Sequence, residues 1–199
     1  MKAIFIGAVS ALAAILFSGC ALTTARVSLH YTPQTNVVAV AGAEKVSVNV
    51  AVDDSRLIRD KVSAKKNGYG VEMAPIVADE DVTEVVKHAI ESELSNRRFK
   101  PGDGDVSLEI DLSKFYNDFK MGFFAGDAVA EVIMEARIKD AAGHIVYSRL
   151  VSADGRERNI QLASGANAKI ALEAALKNAV TALFDDPAFV HDLLKASKK

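Results

Sequence analysis

From Lys45 to Val52 apolar side chains recur at every second position, Val46, Val48, Val50 and Val52 alternating with Ser47, Asn49 and Ala51. Period two in β-branched residues predicts a strand buried on one face, ended by Asp53-Asp54-Ser55-Arg56. The same period returns three times further on. Val106, Leu108, Ile110 and Leu112 alternate with Ser107, Glu109, Asp111 and Ser113. Ala128–Lys139 sets Ala130, Val132, Met134, Ala136 and Ile138 against Glu131, Glu135, Arg137 and Lys139. Ile133 falls in the polar set, so that strand is expected to be partly covered on both faces. After the turn Asp140–Gly143, His144–Ala153 runs back through Ile145, Tyr147 and Val151. A weaker alternation at Val27, Leu29 and Tyr31 admits an edge strand at Arg26–Thr32. Val62–Ala64 and Val71–Met73 flank Asn67-Gly68-Tyr69-Gly70, and Asn-Gly favours the positive φ of a tight hairpin turn. Pro75 is expected to stop the second arm.

Two longer stretches carry the helical period. Over Asp79–Asn96 the residues Val82, Val85, Val86, Ala89, Ile90 and Leu94 fall on one stripe. Asp79 or Asp81 can cap its start, Glu84 completing a capping box with Asp81, and Arg97-Arg98 suit its negative end. Pro101-Gly102-Asp103-Gly104 stops it. Over Ala166–Phe184 the stripe is Leu172, Leu176, Ala179 and Leu183, widened by Ala175, Val180 and Phe184, with Lys169, Glu173 and Lys177 on the wet side. Asp186 caps a short last helix with Pro187 in its first turn. The pattern predicts an α+β fold: a mainly antiparallel sheet of about four to six strands, two long helices packed on one face, and a short C-terminal helix.

The first 21 residues have a different pattern. Lys2 leads into an apolar run from Ala3 to Phe17, followed by Ser18, Gly19 and Cys20, the single cysteine. The run is short of the roughly 20 residues that cross a bilayer comfortably, and its form is that of a secretory leader. The expected division is a signal segment at 1–19, Cys20 with a polar tether over 20–43, and one domain over 44–196. Composition narrows the function. The formal net charge of −2 gives no basic surface for nucleic acid. With Cys20 committed to the leader junction, no disulfide or thiolate metal site is available, and no cofactor is expected.

The chemistry-bearing residues are scattered. His30, His88, His144 and His191 show no metal-ligand spacing, so no metal site is expected. Ala163-Ser164-Gly165 lacks the first glycine of a nucleophile elbow, and no phosphate loop is present. Glu109 and Asp111 share a strand face with Ser107 and Ser113, which reads as wet surface. No catalytic residues are assigned, and no enzyme is expected. Two patches are candidates for binding a partner. Asp54, Arg56 and Arg59 follow the first strand, where charge either docks a partner or closes the strand end with an ion pair. Phe115–Phe124, with Phe119, Met121, Phe123 and Phe124, is expected as an apolar strand-to-strand connection, either tucked under a helix or exposed to lipid or protein.

Leu16-Phe17-Ser18-Gly19-Cys20 resembles the lipobox of bacterial lipoproteins, with Phe17 where Leu is usual. The resemblance implies cleavage before Cys20 and acylation of Cys20. Ala21, in place of an Asp, implies sorting to the outer membrane of a Gram-negative cell, on its periplasmic side. Together with the Val-rich strand leading to Asp54-Ser55-Arg56, the Asn67–Gly70 hairpin, the Asp79–Phe99 helix ending Arg98-Phe99, the strand trio and the final helices, the chain resembles the YajG-like family of bacterial lipoproteins. That resemblance implies an envelope lipoprotein without an assigned biochemical role. The expectation is a non-enzymatic binding or adaptor module held to the membrane by acyl chains, with an envelope protein as partner. The alternative is an accessory in lipid or lipopolysaccharide transport that holds an acyl chain between helices and sheet.

Overall fold

The computed structural model describes residues 22–104, 106–122 and 125–197. The leader, Cys20, Phe123 and Phe124 lie outside the described residues. The strands are β1 (Ala25–Val27), β2 (Ser47–Asp54), β3 (Ser63–Lys66), β4 (Glu72–Ala78), β5 (Lys100–Pro101), β6 (Val106–Met121), β7 (Gly126–Lys139) and β8 (Ile145–Ile160). The α-helices are α1 (Val82–Asn96), α2 (Gly165–Phe184) and α3 (Pro187–Ala196). The fold is α+β, with a five-stranded sheet in the order β5-β2-β6-β7-β8 and a three-stranded sheet in the order β1-β4-β3.

Neither sheet is purely antiparallel. β6, β7 and β8 pair antiparallel through short turns, as the alternating segments require. β2 runs parallel to β6, Val48 opposite Val106 and Asp54 opposite Leu112. The chain between them is the β3–β4 hairpin, α1 and β5, a crossover long enough to bring a parallel strand alongside. β1 runs parallel to β4, Ala25 opposite Ile76.

Two local expectations are corrected. Pro75 lies inside β4, opposite Ala64 of β3. β1 joins the other side of β4 only from Ile76 onward. At Pro75 the strand therefore has one neighbour, the edge position where a missing N–H is tolerated. In the hairpin, Gly70 takes the positive φ of 80° that Asn67-Gly68 was expected to supply. The turn spans five residues: Asn67 N–H donates to the Val71 carbonyl, and the Asn67 side chain accepts from the N–H groups of Tyr69 and Val71, at 3.0 Å each.

The helix signals correspond to caps. Asp81 accepts from Thr83 N–H at the start of α1, Ser164 from Asn167 N–H at α2, and Asp186 from Ala188 N–H at α3. α1 packs against β2, α2 against β7 and β8, and α3 against β8. Their buried side chains form one core cluster with Val106, Leu108, Ile110, Leu112, Phe115 and Phe119 of β6 and the even-numbered residues of β7. On the other face of those strands Lys139 and Arg137 reach Glu109, at 2.6 and 3.8 Å. Asp111 accepts from the Ser55 hydroxyl. The two carboxylates that alternate on β6 are thus engaged in surface pairs.

The stretch expected as a tether is folded onto the domain. Val27 and Leu29 are buried, Tyr31 and Val40 are half-buried against the core, and Val40 N–H donates to the Arg97 carbonyl. Glu93, wholly buried, holds this segment to α1. It accepts from Tyr31 Oη at 2.9 Å and Gln34 N–H at 2.7 Å, and pairs with Arg97 four residues on. Burial, and then the bond to Glu93, pushes the Tyr31 hydroxyl well above the ordinary tyrosine range.

Candidate functional site

β2 ends at Asp54, and the next residues turn off the sheet toward β3. Arg56 folds straight back: its Nε and Nη2 donate to the two Asp54 carboxylate oxygens at 2.8 Å each, and its backbone N–H donates to Oδ1 at 3.1 Å. This bidentate geometry is the strong form of the pair. The Arg56 side chain is 5% exposed and its Nη1 is buried without a partner. Arg59 Nε donates to the Arg56 carbonyl at 3.0 Å and lies 4.0 Å from Asp54, with most of its side chain in solvent. Arg56 therefore closes the strand end, while Arg59 presents its charge outward.

Between those two arginines the chain has no option but to bulge. Leu57 is 100% exposed and Ile58 is 41% exposed. They overhang an open cleft of about 410 Å³, floored by Ser113, Lys114, Phe115, Tyr116 and Asp118 of β6. An apolar side chain next to a buried arginine that is doubly bonded to Asp54 is an ordered contact surface, since the loop loses little freedom when something docks. The sequence signal was present in Leu57-Ile58 between charged residues, but no period marks a loop residue as outward.

The second expected patch is resolved differently along its length. Phe115–Met121 is not a connection: it is the second half of β6. Pairing with β7 shifts register between Leu112 and Lys114. Ahead of that bulge the even residues point into the core, and beyond it the odd ones do. Phe115 and Phe119 are thus buried, Met121 is half-buried against the core, and Tyr116 and Asp118 face the cleft. Asn117 is buried with them. Its Nδ2 donates to Ser63 Oγ at 2.9 Å and its backbone carbonyl accepts from the same hydroxyl, stitching β3 to β6.

The pair at Asp54 makes stability depend on acid. Hydrogen bonds from Arg56, acting against burial, hold the Asp54 carboxyl below the usual carboxylate range. A lowered folded value means stabilisation that is complete above the ordinary value, about 3.9, and is lost as pH falls through the folded one. Urea unfolding followed from pH 7 down to pH 2 is expected to show stability falling at the acid end. That fall should flatten in the double variant Asp54→Asn with Arg56→Met, which removes both charges together.

The four histidines are scattered. His144 and His191 are exposed beside Asp140 and Asp192. Among the described residues no group of three His, Cys, Asp or Glu is arranged to hold a metal ion. None of the described helices is long and apolar enough to cross a membrane. Between α2 and β8 the backbones meet at Gly155, where an added Cβ would lie 2.8 Å from the Ala174 carbonyl carbon.

Residues 33–193 match the model of a family described as uncharacterized lipoprotein. No curated protein matches the chain. Among solved structures, a Xanthomonas campestris protein of the DUF330 family is similar with a TM-score of 0.59 at 16% identity, covering 89% of this chain and 100% of that one. At that identity the likeness shows the fold. A minor lipoprotein from Acinetobacter baumannii aligns at TM-score 0.40 and 7% identity, over 71% of this chain and 90% of its own. A lipoprotein from Neisseria meningitidis aligns at 0.30 and 17%, over 72% and 98%.

Proposed function

The chain belongs to the YajG-like family of uncharacterized lipoproteins, and from that premise we propose that it is a non-enzymatic binding module, acylated at Cys20 and held on the periplasmic face of the outer membrane. The lipobox-like Leu16–Cys20 and Ala21 support the anchor and its address. Two or more acyl chains make such an attachment durable where one does not.

The observation that carries the binding role is the loop Arg56–Arg59. A buried, doubly bonded arginine fixes a fully exposed leucine over a cleft whose floor is β6. Leu57 and Ile58 supply the apolar anchor, and Lys114 with Asp118 the polar rim, for a protein partner in the envelope. Phe119 lies in the core and Phe115 lines the cleft.

Two measurements test this reading. Cys20→Ser is expected to abolish incorporation of labelled palmitate into the protein, and continued labelling of that variant would sink the anchor. A photoreactive side chain at position 57 in intact cells is expected to give a discrete adduct that the same group at Lys177, on the exposed side of α2, does not. Equal labelling from both positions would defeat the binding face.

A further inference from the structure

Eleven large apolar residues are exposed among the described ones, and their distribution is uneven. Leu22, Tyr69, Val71 and Met73 fall at one end of the three-stranded sheet, at 63%, 94%, 58% and 36% exposure, and Leu162, at 71%, lies on the loop that leads into α2. The topology shows why the first four share that end. β1 and β4 are parallel, so the start of β1 and the turn preceding β4 lie at the same end of the small sheet. An added Cβ at Gly165 would lie 3.1 Å from Val27 and 3.4 Å from Ala25, which brings the Leu162 loop and the start of α2 beside β1.

The register sets the height of the anchor. Ala25 is opposite Ile76. Cys20 precedes Ala25 by five residues, and Val71 precedes Ile76 by five. Five residues span at most about 17 Å. The chain length therefore keeps Cys20 within that distance of Ala25 and of the end of the small sheet that carries the hairpin turn. Because residues 25–46 are held on the domain, no long tether separates the fold from its anchor. The turn is held in shape, since Asn67 makes four hydrogen bonds across it and Gly70 has the backbone angle it needs.

We propose that the Asn67–Met73 tip of the β3–β4 hairpin is a second membrane-contact site, inserting Tyr69 and Val71 into the headgroup region of a phospholipid bilayer beside the acylated Cys20. The inference rests on the anchor reading above and adds an orientation to it. Tyrosine suits this depth, with an apolar ring and a hydroxyl that stays wet. With the tip seated, the three-stranded sheet stands on the membrane. The turn Asp140–Gly143 and Ile145, at the opposite end of β7 and β8, point into the periplasm.

The chain has no tryptophan, so Tyr69→Trp introduces a unique fluorophore at an exposed loop position. The full acylated protein is reconstituted into phosphatidylethanolamine–phosphatidylglycerol vesicles, with and without brominated lipid, and flotation is scored in the same samples. Expected is flotation, a blue-shifted emission, and loss of most of that emission to brominated lipid. Ile145→Trp in the same vesicles is expected to float and remain unquenched. Flotation with an unquenched position 69 overturns the tip insertion alone. A blue shift without quenching does the same, since it places position 69 against protein. Failure to float overturns the acyl anchor, and the proposal with it. Equal quenching at 69 and 145 overturns the orientation.

Discussion

Glu93→Ala is expected to lower the stability of the fold by about 3–5 kcal/mol, the loss that follows when one partner of a buried ion pair is removed. The Glu93 side chain is 0% exposed and that of Arg97 is 7% exposed. Truncation leaves the guanidinium of Arg97 buried with its bond to Gln34 Oε1 at 2.7 Å and its stacking over the Phe184 ring at 4.5 Å. It also strips acceptors from Tyr31 Oη and Gln34 N–H. For a domain of this size that loss corresponds to a fall in Tm of about 10 °C. Urea unfolding measures it directly. Amide exchange should accelerate first at residues 31–40, because these bonds hold that segment to α1. Restoring balance with Glu93→Ala plus Arg97→Met is expected to recover part of the loss, since the second change removes the stranded charge. A single-variant effect below about 1 kcal/mol would mean that the pair is solvated, as surface pairs are.

Glu93 also shows how far the residues could be read before folding. It falls on the apolar stripe of α1, three after Ile90 and seven after Val86, and Arg97 continues that stripe. The spacing was visible, but charge at those positions reads as dipole complementarity until burial is known. The strands were legible wherever one parity of side chain was apolar, because a sheet wet on one face imposes that parity. They became illegible at Ser113-Lys114, where one extra residue reverses the phase and makes Phe115, Asn117 and Phe119 resemble a loop. Pairing direction was not legible at all. Nothing local to Val46–Val52 distinguishes a strand with a parallel neighbour, since the helical crossover decides it. The loop Leu57-Ile58 is a further case. Its charged neighbours were visible, yet only the inward turn of Arg56 leaves the leucine outside.

Gly155→Val carries the second large effect, a loss of about 3 kcal/mol or more, as expected when volume is forced into a filled core. Gly155 lies on β8 opposite Ala130 of β7, beneath the Ala171–Ala175 turn of α2. Ala168, Ala171, Ala175 and Ala179 are all buried on the helix side, so the seam is lined by small residues along its length. A Cβ at Gly155 would meet the backbone N of Ala175 and the carbonyl of Ala171 even more closely than the 2.8 Å to the Ala174 carbonyl carbon. Backbone atoms cannot rotate aside, as the end of a flexible side chain would. The helix must lift from β8, and the apolar contacts around Leu172 and Leu176 loosen with it. Even Gly155→Ala is therefore expected to be costly. Gly68→Ala is the informative contrast: it has no positive φ and nothing within 4 Å of its Cβ, so it is expected to change stability by about 0.5 kcal/mol or less. Parallel urea titrations of the three variants separate the two cases. Equal effects at 155 and 68 would mean that β8 and α2 do not approach as closely as the alanine-lined seam requires.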